Sequence, residues 1–136
     1  MPRGRSLCLD VGERRIGVAI SDEDGWLASP LDVLVRRDAE GAFRRIAELV
    51  GTHGAVRIVV GLPRTLPGEI GPQARRVQRW GARLQGPVAV PIVYWDERYS
   101  TVEAARRLAS MPARRRPGID AAAAAVILQD YLDTER

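Results

Sequence analysis

Three carboxylate positions stand where apolar segments of this chain begin or end, and acids so placed are the side chains best able to gather a cation. Asp10 closes the run Leu7-Cys8-Leu9, Asp96-Glu97 follows Val93-Tyr94-Trp95, and Asp120 precedes the apolar segment Ala121 to Leu128. An acid at the edge of a core costs free energy unless its charge is offset, and a divalent cation offsets it. The ends of neighbouring strands in an α/β sheet lie close together, so Asp10 and Glu97 can converge. Asp120 supplies a third carboxylate if the last helix starts beside the same edge. Oxygen donors of this kind suit Mg²⁺ or Mn²⁺. Two such ions about 3.5 to 4 Å apart activate a water, orient a scissile phosphate and stabilise both the attacking and the leaving oxygen, which is what phosphodiester hydrolysis requires.

Each acid also has a purely structural reading. Asp10 could close a hairpin turn by accepting local backbone N–H groups. Asp96 and Glu97 could favour the start of a following helix, where Ser100 and Glu103 have the Ser-x-x-Glu spacing of a capping box. Asp120 has the spacing of an N-cap, a role compatible with metal binding. His53 is the only histidine, so a zinc-binding pair, an HExxH site and a serine triad have little support, and His53 reads as a surface residue at a helix end.

The net charge of +4 and a pI near 10.2 point to an acidic partner, for which nucleic acid is the commonest candidate. All the basic residues are arginine, whose planar fork suits phosphate, although a biased genome composition would produce the same usage. Arg64 lies in a proline- and glycine-punctuated loop from Gly61 to Gln73, where it could approach phosphates near the acids or simply belong to a connection. Arg75, Arg79 and Arg83 recur at four-residue spacing, as a phosphate-tracking stripe or a solvated helix face would. Arg106 and Arg107 with Arg114-Arg115-Arg116 bracket the link that leads to Asp120 and form the stronger candidate for nucleic-acid contact.

The elements that must position these residues are legible as alternations of period. Ser6 to Asp10 and Arg15 to Asp22 read as strands joined by Val11-Gly12-Glu13-Arg14, with the glycine supplying a permissive backbone. A third extended stretch covers Trp26 to Val35, and Pro30 argues for an edge position or a break there. Phe43, Ile46, Ala47 and Val50 recur at helical spacing within Ala39 to Thr52. A buried strand at Val56 to Gly61, a helix at Pro72 to Leu84 and a strand at Val88 to Trp95 follow. Two more helices, about Thr101 to Ser110 and Asp120 to Leu132, end the chain. Helical crossovers between sequential strands imply parallel pairing, so the expectation is an α/β fold with a mixed five-stranded sheet flanked by helices. At 136 residues it should form one domain, 1–136. No apolar run suggests a membrane span, the first residues lack signal-peptide architecture, and lone Cys8 offers no disulfide framework, so a cytoplasmic location is expected.

Four blocks, taken together and in order, carry a resemblance. They are Leu9-Asp10-Val11-Gly12 with Arg15-Ile16-Gly17-Val18-Ala19; Gly61-Leu62-Pro63; Asp96-Glu97-Arg98-Tyr99-Ser100-Thr101-Val102-Glu103-Ala104; and Asp120-Ala121-Ala122-Ala123-Ala124 with Ile127-Leu128-Gln129. Across nearly the whole chain they resemble the YqgF family, also called RuvX or Holliday-junction-resolvase-like. The resemblance implies an RNase H-like fold and a nuclease that matures the 5′ end of 16S ribosomal RNA precursors, cleaves Holliday-junction or branched DNA, or does both. It places Asp10, Glu97 and Asp120 on the acidic motif positions, as catalytic and metal-binding residues for two Mg²⁺ or Mn²⁺ ions, with Arg98 among the residues expected to contact nucleic acid. No carboxylate closes the strand at Val59-Val60-Gly61, so Glu97 must reach the metals from the next strand.

Two other classes of function fit parts of the pattern. A non-catalytic nucleic-acid-binding module would use the acids as caps and the arginines for contact. An actin-like or sugar-kinase ATPase would use Asp10-Val11-Gly12 as a phosphate turn, but its site is built between two domains. A homodimer is expected if the substrate is a four-way junction, because symmetric cutting needs two sites.

Overall fold

The computed structural model describes residues 3–63, 70–96 and 119–135. Five strands form one mixed sheet. β1 (Arg5–Val11), β2 (Arg15–Ser21) and β3 (Ala28–Val35) make an antiparallel meander, and β4 (Ala55–Leu62) and β5 (Ile92–Asp96) add in parallel on the other side of β1, giving the order β3-β2-β1-β4-β5. Pro30 does lie on an edge strand. The register steps there from Val18 opposite Asp32 to Ala19 opposite Pro30, so the residue without an N–H donor sits at the irregularity.

The connections follow from local chemistry. α1 (Ala39–His53) begins where the Asp38 side chain accepts the Gly41 N–H at 3.1 Å, and it stops at Gly54, whose φ of 63° closes the helix through an N–H bond to the Val50 carbonyl. α2 (Pro72–Leu84) starts on a proline, which lacks only a donor that a first helical turn leaves unused. α3 (Ile119–Glu135) is apolar on nearly every side from Ala121 to Leu128. The stretch expected to contain a helix at Thr101 to Ser110 lies outside the described residues.

Two positions differ from the sequence reading. The strand expected from Val88 begins at Ile92, because Val88 donates to Leu84 and extends the end of α2, while Pro87 and Pro91 lack ladder donors. Gly12 does not adopt a positive φ; its N–H bonds the Arg15 carbonyl at 2.9 Å, and a Cβ there would lie 2.9 Å from the same oxygen. Close approach, rather than a left-handed backbone, is what the turn asks of that glycine.

The alternation of β1 divides the core. Leu7, Leu9 and Val11 point to one face, where α1 and α2 supply Phe43, Ile46, Leu49, Val77, Trp80 and Leu84. Cys8 points to the other with Ala19 and Val59, against Ala124, Ala125, Ile127, Leu128, Tyr131 and Leu132 of α3. Among the described residues no helix is long and apolar enough to cross a membrane.

Candidate active site

Asp10 has the parity of Cys8, so it belongs to the α3 face of β1, one step before the strand ends. Its antiparallel partner is Gly17. The chain of α3 lies directly on that glycine: a Cβ built at Gly17 would overlap the backbone carbonyl of Asp120. Two acids 110 positions apart in sequence are thereby placed against one paired position of the sheet. Gly17 is buried among apolar neighbours on β2, and only the absence of a side chain lets the helix start there.

α3 is held in that position from both sides. On the β3 side the Gln129 side chain accepts the Ala28 N–H at 3.0 Å and donates to the Trp26 carbonyl at 2.9 Å. On the β5 side Trp95 donates its indole N–H to Asp130 at 2.8 Å and meets the Tyr131 ring edge-on at 5.4 Å. These contacts fix the second half of α3, and a helix is stiff enough to carry that constraint back to its first turn. Asp120 sits in that first turn, where the positive end of the helix favours a carboxylate. Arg15, largely exposed at the start of β2, approaches the Asp120 carboxylate to 3.8 Å. Gln129 stands in a block quoted for the family resemblance, but its positioning role, like those of Gly17 and Arg15, is visible only once strand and helix are paired.

The registers put the ends of β1, β4 and β5 along one edge: Leu9 lies opposite Val60, Gly61 opposite Trp95, and Leu62 opposite Asp96. Asp96 shares the parity of Tyr94, which packs on the α1 and α2 face, whereas Val93 and Trp95 pack toward α3. Glu97 is the next residue in sequence and lies outside the described residues, as do Arg64, Arg98, Arg106, Arg107, Arg114, Arg115 and Arg116. Among the described residues no three His, Cys, Asp or Glu side chains form a metal-holding group. The two acids that are described, Asp10 and Asp120, offer carboxylate oxygens alone, a donor set that fits a hard divalent cation and not a thiophilic one.

The arginine stripe of α2 divides. Arg75 donates to the Ile70 carbonyl at 3.0 Å and helps shape the approach to the helix. Arg79 and Arg83 instead line a cleft of about 500 Å³ between α2 and the loop before α1, together with Glu13, Arg36, Arg37 and Arg76. His53 closes the last turn of α1, away from the acids.

Known proteins resemble this chain in sequence and in fold. The family model RuvX, described as Holliday junction resolvase, matches residues 4–134. A relative from Chloroflexus aurantiacus, named "Putative pre-16S rRNA nuclease", is 47% identical over 133 residues, covering 96% of this chain and 87% of its own. A relative of the same name from Streptomyces coelicolor is 44% identical over 140 residues, covering 100% of this chain and 84% of its own. Among solved structures, Thermus thermophilus RuvC in complex with a Holliday junction substrate superposes with a TM-score of 0.62 at 13% identity, covering 98% of this chain and 96% of that one. That likeness shows the fold, which is RNase H-like.

Proposed function

The chain belongs to the RuvX family, described as Holliday junction resolvase, and from that membership we propose that it is a one-domain, divalent-metal-dependent nuclease in which Asp10, Glu97 and Asp120 form the reacting centre. The observation that supports this most directly is the seating of the Asp120 backbone on Gly17, opposite Asp10. The helix start that rests on bare strand backbone beside Asp10 carries a second carboxylate, with Arg15 offsetting part of the Asp120 charge, and oxygen donors so placed suit a hard divalent cation.

The residues divide the work. β1 holds Asp10 rigidly at the strand end, and α3 brings Asp120 to it. Glu97 supplies the third carboxylate from the residue after β5. When bound, a pair of Mg²⁺ or Mn²⁺ ions supplies Lewis acidity at the scissile phosphate and lowers the pKa of the attacking water. Arg15, beside Asp120, restrains that carboxylate and places a guanidinium within reach of an incoming phosphate. Arg64, Arg75, Arg79, Arg98, Arg106, Arg107 and Arg114-Arg115-Arg116 hold the sugar-phosphate backbone.

The curated relatives' shared name supports a 16S ribosomal RNA precursor as one substrate, and trimming at its 5′ end in the cytoplasm is part of the same proposal. The family description supports branched DNA as another. A junction would be cut by a homodimer and an RNA end by a monomer, so light scattering with each substrate bears on the choice.

Asp10→Asn is the deciding variant. Cleavage of a labelled precursor-like RNA and a four-way DNA junction, with Mn²⁺, Mg²⁺ or EDTA, should depend on the metal in the wild type. It should fall by about 1,000-fold in Asp10→Asn, equivalent to about 4 kcal/mol of transition-state stabilisation, with thermal unfolding little changed. Undiminished cleavage by that variant would remove the acid-cluster mechanism, and binding without cutting by the wild type would identify a non-catalytic nucleic-acid-binding module.

A further inference from the structure

The cleft on the α1 and α2 face gathers Arg36, Arg37, Arg76, Arg79 and Arg83, and among the described residues lining it Glu13 is the one carboxylate. Arg37, Arg76 and Arg79 make no hydrogen bond or ion pair with any described side chain, so their charge is not neutralised within the described fold. Two of the cationic walls are instead held in shape. Arg36 donates to the Gly12 carbonyl at 2.7 Å, and its own N–H bonds the Arg14 carbonyl at 3.0 Å, tying this wall to the β1–β2 turn. The Arg83 guanidinium lies 5.4 Å from the centre of the Phe43 ring, which orients it without consuming its charge. The cleft wall also includes Trp80, whose buried indole N–H has no acceptor among the described residues.

Spacing indicates the kind of anion. Arg76, Arg79 and Arg83 fall at i, i+3 and i+7, along one side of α2, and span about 10 Å at a rise of about 1.5 Å per residue. That length equals about three base-pair rises of about 3.4 Å along a duplex axis. A row of this length suits a run of phosphates better than a single small anion. Its position indicates where those phosphates belong. Glu13 and Arg36 adjoin the turn that follows Asp10, so the cleft and the acid pair share one edge of the sheet but open on its opposite faces. A strand lying only at the acids does not reach the cleft, whereas the second strand or a flanking arm of a duplex, passing over the edge, does.

We infer that this cleft grips the phosphate backbone of a duplex arm next to the cutting site, so that the nuclease selects substrates with double-stranded arms over single strands. The inference rests on the nuclease reading above for the placement of the cut, but the grip can be measured without any cutting. In EDTA, fluorescence anisotropy with a four-way DNA junction, a precursor-like RNA stem and a single-stranded oligonucleotide gives Kd as a function of salt. Arg37→Ala/Arg76→Ala, taken from opposite walls, should raise Kd for both duplex-armed probes by about 10-fold or more. It should flatten the log-log salt slope by about 2, near 0.9 for each phosphate no longer neutralised, and change single-strand binding by less than about 2-fold.

Glu13→Gln is the second arm, because a gain cannot come from a damaged fold. Removing this opposing charge should tighten duplex binding about 3-fold. Unchanged duplex Kd and slope in the double variant, equal weakening on single strands, or no gain in Glu13→Gln would each overturn the inference. If the cleft variants behave as expected but the wild type cuts nothing with any metal, the nuclease reading falls and the grip stands. If cutting proceeds and binding ignores the cleft, the reverse holds.

Discussion

Near the edge that carries Asp10, the two faces of the sheet are packed by different means. On the α1 and α2 face the contact is made by large side chains: Leu7, Leu9, Ile16, Ile46, Ile58 and Leu84 are fully buried there, and Phe43 and Trp80 meet at 5.4 Å. On the α3 face, toward the edge that carries the acids, the contact is made by small ones. Gly17 and Ala19 of β2 receive Ala121, Ala124 and Ala125 of α3, all buried. Large interdigitating side chains stabilise a fold, but they hold backbones apart. Small ones give up buried area and let a helix start come down on a strand, as the Asp120 backbone does on Gly17. The α3 face keeps large buried side chains in its second half, Ile127, Leu128, Tyr131 and Leu132, and relies on small ones at its start. Substitutions that alter bulk should therefore have different consequences on the two faces.

The sharpest break of that contrast is Gly17→Ala. The added Cβ would run into the Asp120 carbonyl, which is backbone and cannot rotate aside. The start of α3 must lift or slide. Overpacking of this kind costs about 1–3 kcal/mol, measurable by urea denaturation. A displacement of about 1 Å at a reacting group can cost about 100-fold in rate, so cleavage per folded molecule should drop by about 10- to 100-fold. Full activity in a destabilised Gly17→Ala protein would show that Asp120 need not sit so close to Asp10.

Gln129→Ala tests the same placement from the far end of the helix. It removes the bonds to Ala28 N–H and Trp26 carbonyl that tie α3 to the edge strand. The expected loss is about 1–3 kcal/mol, at about 0.5–1.5 kcal/mol per bond. Cleavage should fall by less than about 10-fold, because Trp95, Asp130 and Tyr131 still anchor the other side. A larger drop in cleavage than that of Gly17→Ala would mean that the β3 tether, not the glycine approach, sets the position of Asp120.

The same division explains what could be read before any coordinates. α1 and α2 were legible because each buries one stripe: Phe43, Ile46 and Val50 recur at helical spacing, and Pro72 and Leu84 bound α2 as expected. Pro30 placed β3 at an edge for a reason intrinsic to its own backbone. α3 has no comparable stripe, since Ala121 to Leu128 is apolar all round, and its first turn is placed by a contact with a glycine more than a hundred residues earlier. No local period carries that information. The arginines of α2 show the same limit. Four-residue spacing groups Arg75, Arg79 and Arg83, but tertiary packing bonds Arg75 to Ile70 and joins Arg79 and Arg83 to Arg36, Arg37 and Arg76. Family blocks pointed to Asp10 and Asp120, while the seating of the Asp120 backbone opposite Asp10 depends on Gly17.

The mildest test lies on the other face. Gly81 on the buried side of α2 is also crowded, but what its Cβ would meet is the phenol tip of Tyr94, not a backbone atom. That tip is held weakly, by one bond of 3.4 Å to the Gln78 carbonyl. Gly81→Ala gains about 0.5–1 kcal/mol of helix propensity, and the Tyr94 ring can yield at a similar cost. Stability should then change by less than about 1 kcal/mol, with cleavage within about 2-fold of wild type. A spectroscopic sign accompanies this. Burial pushes the Tyr94 phenol above its ordinary pKa, so its contribution to stability is complete below the unfolded value and lost as pH rises through the folded one. Moving the tip outward should bring its titration back toward the ordinary value, visible by ultraviolet absorbance. If Gly81→Ala instead costs as much as Gly17→Ala, crowding against a side chain is no softer here than crowding against backbone. The two faces would then differ only in composition, not in what they can tolerate.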